Sequence, residues 1–364
     1  MTSGLDVVTQ IARESALESG AERFPEPQVK DELRRLYGLG GTLSRIPTEK
    51  DDTFRLADHR GRFLVKIAPA TESAHVVNLQ SAVLLHLQRS AAAIPAQRLV
   101  RGLHGQVEST VIDPLGHERI LRVLTYIDGD LLSTAAPTPS QFQRVGAMLA
   151  RVDAALADFR HPYESRSLIW DLKNFTHMRP LLEFVHDRDD VTMATWVFDQ
   201  FDSLVAPRIG DLDTQMIHGD FSPYNVVVDP ASGEFVTGVI DFGDTVRSPM
   251  VFELSVAVAN QIGGDPRRPW AGALDIVRGF RSVARLSDAD AALLAITGPA
   301  RLLLRALIFG WRRSAHPHSR DYGLSHSAQD WSRLRSALSV ARPTVEAMLA
   351  ATGTTTFPTE GERQ

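Results

Sequence analysis

The chain has no cysteine among its 364 residues. Disulfides, thiolate nucleophiles and zinc–thiolate centres are therefore excluded, and the absence suits a reducing compartment. No sign of charge dominates either: 39 Lys and Arg against 44 Asp and Glu leave a formal net charge of −5. Nucleic-acid binders carry a basic excess, so no nucleic-acid partner is expected. The first residues, MTSGLDVVTQIARESALESGAERF, hold no continuous apolar stretch, which argues against a signal peptide. The most apolar later segment, AALLAITGPARLLLRALIFGW, is interrupted by Arg301 and Arg305. It reads as a buried helix kinked near Pro299, not as a membrane span. Repeats, low-complexity tracts and a glycine-rich phosphate loop are also missing. The expectation is a soluble, cytoplasmic protein of undetermined oligomeric state.

What is present is enough apolar material for a sizeable core, 43% of residues. Residues 42–127 look β-rich. TFRLADHRGRFLVKIA suggests a hairpin around Asp-His-Arg-Gly, and RILRVLTYI a further strand ending at Asp128-Gly129. Between them Val76, Leu79, Val83 and Leu87 recur at helical spacing. The pattern then turns helical. TPSQFQRVGAMLARVDAALADF begins with Thr138 as N-cap and Pro139 in the first turn, and Ser287 heads a second such helix.

Chemistry concentrates in MIHGDFSPYNVVVDP, residues 216–230, and in the following EFVTGVIDFGD. The two read as strands of a hairpin around Pro-Ala-Ser-Gly, which brings Asn225 beside Asp241, with Asp220 just upstream. Two carboxylates and an amide oxygen in one place suit Mg²⁺ on nucleotide phosphates. Phosphoryl transfer also needs a carboxylate beside the attacking hydroxyl. Asp220 is then the expected base, with Asn225 and Asp241 as metal ligands. Asp244 either supports the metal loop or caps the next helix.

The motif His-Gly-Asp, four residues, Asn, with an Asp on the next hairpin, resembles the aminoglycoside phosphotransferase and choline kinase superfamily. Within it RVLTYIDG, IWDLKN, IHGDFSPYNVVV and TGVIDFGDTVRSPMVFELSVAVA resemble, in the same order, stretches of the hydroxylysine kinases. The resemblance implies an α+β, protein-kinase-like fold of two lobes: a small β-rich N-lobe and a larger, mainly helical C-lobe. It implies an N-terminal extension over 1–34, a nucleotide-binding N-lobe over 35–127, a C-lobe with the catalytic loops and acceptor site over 128–350, and a disordered tail over 351–364. It places Lys66 on the nucleotide phosphates, although alone Lys66 reads as an edge-strand lysine. The partner of that lysine, usually a helix Glu, falls at Gln80, while Ser44 or Thr48 would supplement a glycine-poor phosphate loop. The main chain of Thr125 and Ile127 would read the purine.

The implied activity is transfer of the γ-phosphoryl group of ATP or GTP, with Mg²⁺, to a hydroxyl of an amino alcohol or hydroxylated amino acid. Alternatives are a choline/ethanolamine, homoserine or aminoglycoside kinase, or a catalytically silent nucleotide-binding protein. A protein kinase is disfavoured, because an apolar helical run follows Asp244 too soon to leave an activation loop. Candidate acceptor contacts are Trp170, Asp171, Lys173, Glu253, Arg305 and Arg312. Each also reads as structural, a buried Glu–Arg tie between helices being the plainest alternative. His316 and His318 lack metal-ligand spacing.

Overall fold

The computed structural model describes residues 4–16, 23–48, 50–90, 93–315 and 324–353. His316, His318 and residues 354–364 lie outside the described residues. Helices α1 (Gly4–Glu14) and α2 (Glu26–Tyr37) lead into strands β1 (Thr42–Ile46), β2 (Asp52–Asp58) and β3 (Gly61–Ile67). After helix α3 (Ala74–Arg89) come β4 (Ser109–Ile112) and β5 (Glu118–Thr125). The five strands form one antiparallel sheet in the order β1-β2-β3-β5-β4. Asp58 pairs with Gly61, so the β2–β3 hairpin turns at the anticipated Asp-His-Arg-Gly.

The chain then becomes mainly helical. Strand β6 (Asp130–Leu131), helix α4 (Pro139–Leu156), a 3₁₀ stretch over Leu172–Phe184 and helix α5 (Arg188–Leu204) lead to the site. Short strands β7 (Thr214–Ile217), β8 (Val226–Val228), β9 (Val236–Val239) and β10 (Val246–Pro249) carry its loops. Helices α6 (Met250–Ala259), α7 (Ala271–Arg281), α8 (Asp288–Ala315), α9 (Leu324–Leu338) and α10 (Arg342–Ala350) complete the fold. The expected caps form. Thr138 Oγ1 accepts from the Gln141 N–H at 3.3 Å while Gln141 Oε1 accepts from the Thr138 N–H at 2.9 Å, a reciprocal pair that satisfies two orphan donors. Ser287 Oγ accepts from the Asp290 N–H at 3.0 Å at the head of α8.

Two apolar clusters underlie this α+β architecture. One sits under the five-stranded sheet, around Phe54, Leu56, Val65 and Val123. The other fills the helical region and reaches α3. The first 34 residues divide between them instead of standing apart as an extension. Helix α1 places Val8, Ile11 and Ala12 in the helical core, where the Ile169 N–H donates to Ser15 Oγ at 2.8 Å. Helix α2 places Val29, Leu33 and Tyr37 under the sheet. Each short helix buries a single apolar stripe against the nearer core. At the other end, Ala351–Gly353 form a helical turn with Thr352 buried, so these three residues belong to the packed fold and not to a tail.

Helix α8 is long and apolar enough to cross a membrane by length and composition, yet 83% of that apolar window is buried inside the protein. It packs against α5, α6, α9 and α10 as a core helix. Pro299 lies inside it, and the helix runs through that position.

Candidate functional site

Loops 218–225 and 240–245 are pressed together by backbone geometry. Gly219 has φ +83°, and a Cβ there would meet the Asp244 carbonyl oxygen at 2.1 Å, so only glycine fits. His218 is fully buried. Its Nε2 donates to the Ile240 carbonyl at 3.0 Å, which leaves Nδ1 to accept from the Asp220 N–H at 3.3 Å. One imidazole thus fastens both loops. Glu253, also fully buried on α6, accepts from the Gly219 N–H at 2.6 Å. It is therefore a brace beneath the loop and not an acceptor contact.

The hairpin between β8 and β9 forms as expected, with Val226 opposite Val239. The Ile240 N–H donates to the Asn225 carbonyl at 2.9 Å, which sets Asn225 beside Asp241. Asn225 Nδ2 donates to Asp220 Oδ2 at 2.7 Å and to the Asp220 carbonyl at 2.9 Å. Its Oδ1 is left open. Asp241 sits in the left-handed region at φ 59°, its Oδ1 accepting from the Gly243 N–H at 3.2 Å and from Lys66 Nζ at 3.0 Å.

These surroundings drive the two carboxyls apart. Burial pushes Asp220 up to about 7, aided by the charges of Asp244 and Asp241 and opposed by Arg301 and Arg305. Lys66 pulls Asp241 down to about 2, outweighing its own burial. Burial alone would lower Lys66, but Asp241 and Asp51 hold its ammonium above the ordinary lysine value.

The anionic partner of Lys66 is not on α3. Asp51, in the β1–β2 connection, lies 3.0 Å from Lys66 Nζ, and neighbouring Lys50 lies 3.8 Å from Asp244. Gln80 instead accepts from Arg122 Nη2 at 2.7 Å and donates to the Gly243 carbonyl at 3.2 Å. An amide can do both, whereas a carboxylate there could only accept. The expectation that Gln80 orients Lys66 is thus corrected: it links β5 to the turn after Asp241. Arg166 grips the same turn through the Gly243 and Thr245 carbonyls at 2.6 and 3.1 Å.

Between the sheet and the loops lies a cavity of about 490 Å³ that reaches Lys66, Asp220, Asn225 and Asp241 together. Thr48, Tyr126 and Ile127 line its sheet-side half. Thr125 does not present its main chain there. Its N–H donates to the Arg98 carbonyl at 2.8 Å and its carbonyl accepts from Gln97 Nε2 at 3.3 Å. Ser44 points to the Arg55 carbonyl at 3.5 Å and does not line the cavity, while Thr48 does. Gln97, which no motif marks, also accepts from the Asp241 N–H at 3.4 Å.

The other half is lined by Trp170, Tyr224, Asn260, Arg301, Arg305 and Phe309. Arg301, Arg305 and Phe309 recur every four residues, one stripe of α8. Arg305 is engaged by Asp330 through two contacts at 2.8 and 2.6 Å and by Asn260 Oδ1 at 2.7 Å. Its role is a tie between α8 and α9. Asp171 accepts from Ser248 Oγ at 2.8 Å, and Lys173 Nζ lies 3.3 Å from Asp171 and donates to the Arg247 carbonyl. Those two residues fasten the 3₁₀ stretch to β10. Neither they nor Arg312 line the cavity. A second cleft, of about 370 Å³ between the start of α5 and α8, holds none of the groups that lie around Asp220.

Among the described residues no cluster of three or more His, Cys, Asp or Glu could hold a metal ion. The oxygen set here is smaller, Asn225 Oδ1 with the Asp241 carboxylate. That fits a hard cation completed by phosphate and water oxygens.

Comparison with known proteins shows the family and the fold. The model of the phosphotransferase enzyme family (APH) matches residues 42–289. The hydroxylysine kinase of Danio rerio is 27% identical over 328 residues, covering 84% of this chain and 90% of that protein. Among solved structures, a microcompartment-associated aminopropanol kinase superposes with TM-score 0.65 at 19% identity, over 90% of this chain and 99% of that one. An amicoumacin kinase in complex with AMP-PNP and Ca²⁺ superposes with TM-score 0.60 at 16% identity, over 95% and 96%.

Proposed function

The chain belongs to the phosphotransferase enzyme family, and from that premise we propose that it transfers the γ-phosphoryl group of ATP or GTP to a hydroxyl of an amino alcohol or hydroxylated amino acid. The hydroxylysine kinases, to which it is similar over most of its length, support an acceptor of that kind. The observation that carries the reading is the pair Asp220 and Asp241 in one cavity with opposite electrostatic surroundings.

In this reading the acceptor hydroxyl meets Asp220, whose carboxylate orients it and takes its proton as the oxygen attacks the γ-phosphorus. A base with a pKa about 7 is matched to that task near neutral pH. Asn225 Nδ2 fixes the Asp220 carboxyl in place. Lys66 holds the α- and β-phosphates, exchanging Asp51 for them, and the main chain of Ile127 faces the purine. Asn225 Oδ1 and Asp241 would hold Mg²⁺, which supplies charge neutralisation to the phosphates. His218 and Glu253 keep the loops in register.

The test is nucleoside diphosphate release from Mg-ATP and Mg-GTP against hydroxylysine, homoserine, ethanolamine, choline and an aminoglycoside. Acceptor-dependent release with a hydroxylated amino acid or amino alcohol is expected. Nucleotide binding with no acceptor-dependent release across the panel would instead indicate a silent nucleotide-binding protein.

A further inference from the structure

We propose that Arg301 is the counter-charge for a carboxylate on the acceptor, so that the substrates are hydroxy acids and not alcohols lacking an acid group. The proposal rests on the kinase reading above and narrows its acceptor. Arg301 is only 7% exposed. Its Nε is buried without a hydrogen-bond partner, and no side chain or carbonyl among the described residues forms a hydrogen bond or ion pair with its guanidinium. Its guanidinium lies over the face of Trp170, 5.4 Å from guanidinium carbon to ring centroid.

Arg305, one turn further along α8, shows the contrast. It is neutralised in two-pronged fashion by Asp330. Two arginines therefore line the acceptor half of the cavity, and only Arg305 is held by a direct ion pair; Arg301 feels the charge of Asp220 without a hydrogen bond to it. A buried guanidinium without a hydrogen-bonded partner is costly, and an acceptor anion that takes its free N–H groups would offset that cost. Its planar fork matches a carboxylate in two parallel hydrogen bonds.

The placement suits an acceptor with acid and hydroxyl at separate ends. Arg301 and Asp220 line the same cavity and are near enough for their charges to oppose each other's burial. A carboxylate on Arg301 would leave the rest of the molecule running along Trp170 and Phe309, whose rings lie 6.0 Å apart, with its hydroxyl directed to Asp220. Arg301 escapes sequence reading because it sits in an apolar run and because what distinguishes it from Arg305 is Asp330, distant in sequence.

The experiment compares each acid with its decarboxylated form: 5-hydroxylysine with 1,5-diaminopentan-2-ol, and homoserine with 3-aminopropan-1-ol. Wild type is expected to prefer the acids. Arg301→Gln is expected to lower the acid-to-amine ratio of kcat/KM by about 10- to 100-fold, mainly through KM for the acid, the loss of a charge-assisted pair. Arg301→Lys, which keeps the charge and loses the fork, falls between. Arg305→Gln, which breaks the tie to Asp330, lowers Tm and is expected to change the ratio less than Arg301→Gln does. Equal losses for both members of each pair would assign Arg301 to the transferred phosphoryl group or to packing on Trp170 and overturn the proposal. So would a wild-type preference for the amines. The subsite also has a readout without turnover: the acids should raise the melting temperature of wild type and not of Arg301→Gln. If no acceptor releases diphosphate, the kinase reading fails while this binding result still decides the subsite. Absence of any acid-induced shift in wild type would overturn it.

Discussion

Asp220 and Asp241 lie on loops that touch, 218–225 and 240–245, yet their carboxyls are driven in opposite directions. Asp241 has an ammonium at 3.0 Å and a backbone N–H at 3.2 Å, and stays ionised down to about 2. Asp220 has an uncharged amide at 2.7 Å and a hydroxyl at 3.4 Å. Burial, helped by the charges of Asp244 and Asp241, outweighs the opposing pull of Arg301 and Arg305 and pushes it up to about 7. The contrast shows how identical side chains acquire different tasks. One is a permanent anion suited to a cation and phosphates, the other a group that exchanges a proton near neutrality.

The largest expected effect breaks the Asp220 side of that contrast. Asp220→Asn should reduce turnover by about 10²- to 10⁴-fold, the usual worth of a positioned base, while the melting-temperature gain from Mg-nucleotide persists. Turnover within a few-fold of wild type would remove Asp220 from the chemistry. On the other side, Asp241→Ala should abolish the Mg-nucleotide stabilisation, which for a ligand at about 100 times its Kd amounts to about 2.7 kcal/mol. A thermal shift equal to wild type would place the cation elsewhere.

A smaller effect concerns stability against pH. Asp220 binds its proton more tightly folded, at about 7, than unfolded, near ~3.9. The folded state therefore loses stability as pH rises across that window. Asp220→Asn removes this loss, so its Tm should exceed that of wild type at pH of about 8, with the gap closing toward about 4. For Asp241 the sign reverses. Its stabilising contribution is present above ~3.9 and is lost as pH falls toward the folded value. Paired melting curves across this range check both, and a pH-independent gap for Asp220→Asn would contradict the first.

The smallest effect sharpens the contrast by leaving Asp241 alone with Lys66. Asp51 competes for that ammonium in the absence of nucleotide. Asp51→Asn should lower the nucleotide KM by about 2- to 5-fold, the size of a partly exposed ion pair of roughly 0.5–1 kcal/mol. An increased KM would mean that Asp51 positions the lysine for nucleotide.

Much of the site was legible because its residues are close in sequence. Asp220, Asn225 and Asp241 are joined by one hairpin, and a period-two pattern locates hairpins well. Lys66 followed from the family resemblance, since its strand alone reads as an edge. What escaped depends on contacts between distant segments. Asp51 answers Lys66 across the β2–β3 hairpin, Gln80 answers Arg122 across 42 residues, and Arg305 is claimed by Asp330 on another helix. Charge alone therefore points to Arg305, while the structure leaves Arg301 as the arginine without a hydrogen-bonded anion. Thr125 differs from expectation for a related reason, since the segment over 97–98 that occupies its main chain has no motif. The division of the first 34 residues between two cores turns on which apolar surface each helix reaches, and amphipathicity reports a buried face without naming its partner.

The contrast itself is most directly tested by carbon-13 NMR of the aspartate carboxyl groups, with Asp220→Asn and Asp241→Asn assigning the two resonances. The account predicts that the resonance missing from Asp220→Asn titrates in wild type near about 7, and that the one missing from Asp241→Asn stays ionised throughout the range in which ordinary aspartates, at ~3.9, take up protons. Titration of both groups together near ~3.9 would contradict it.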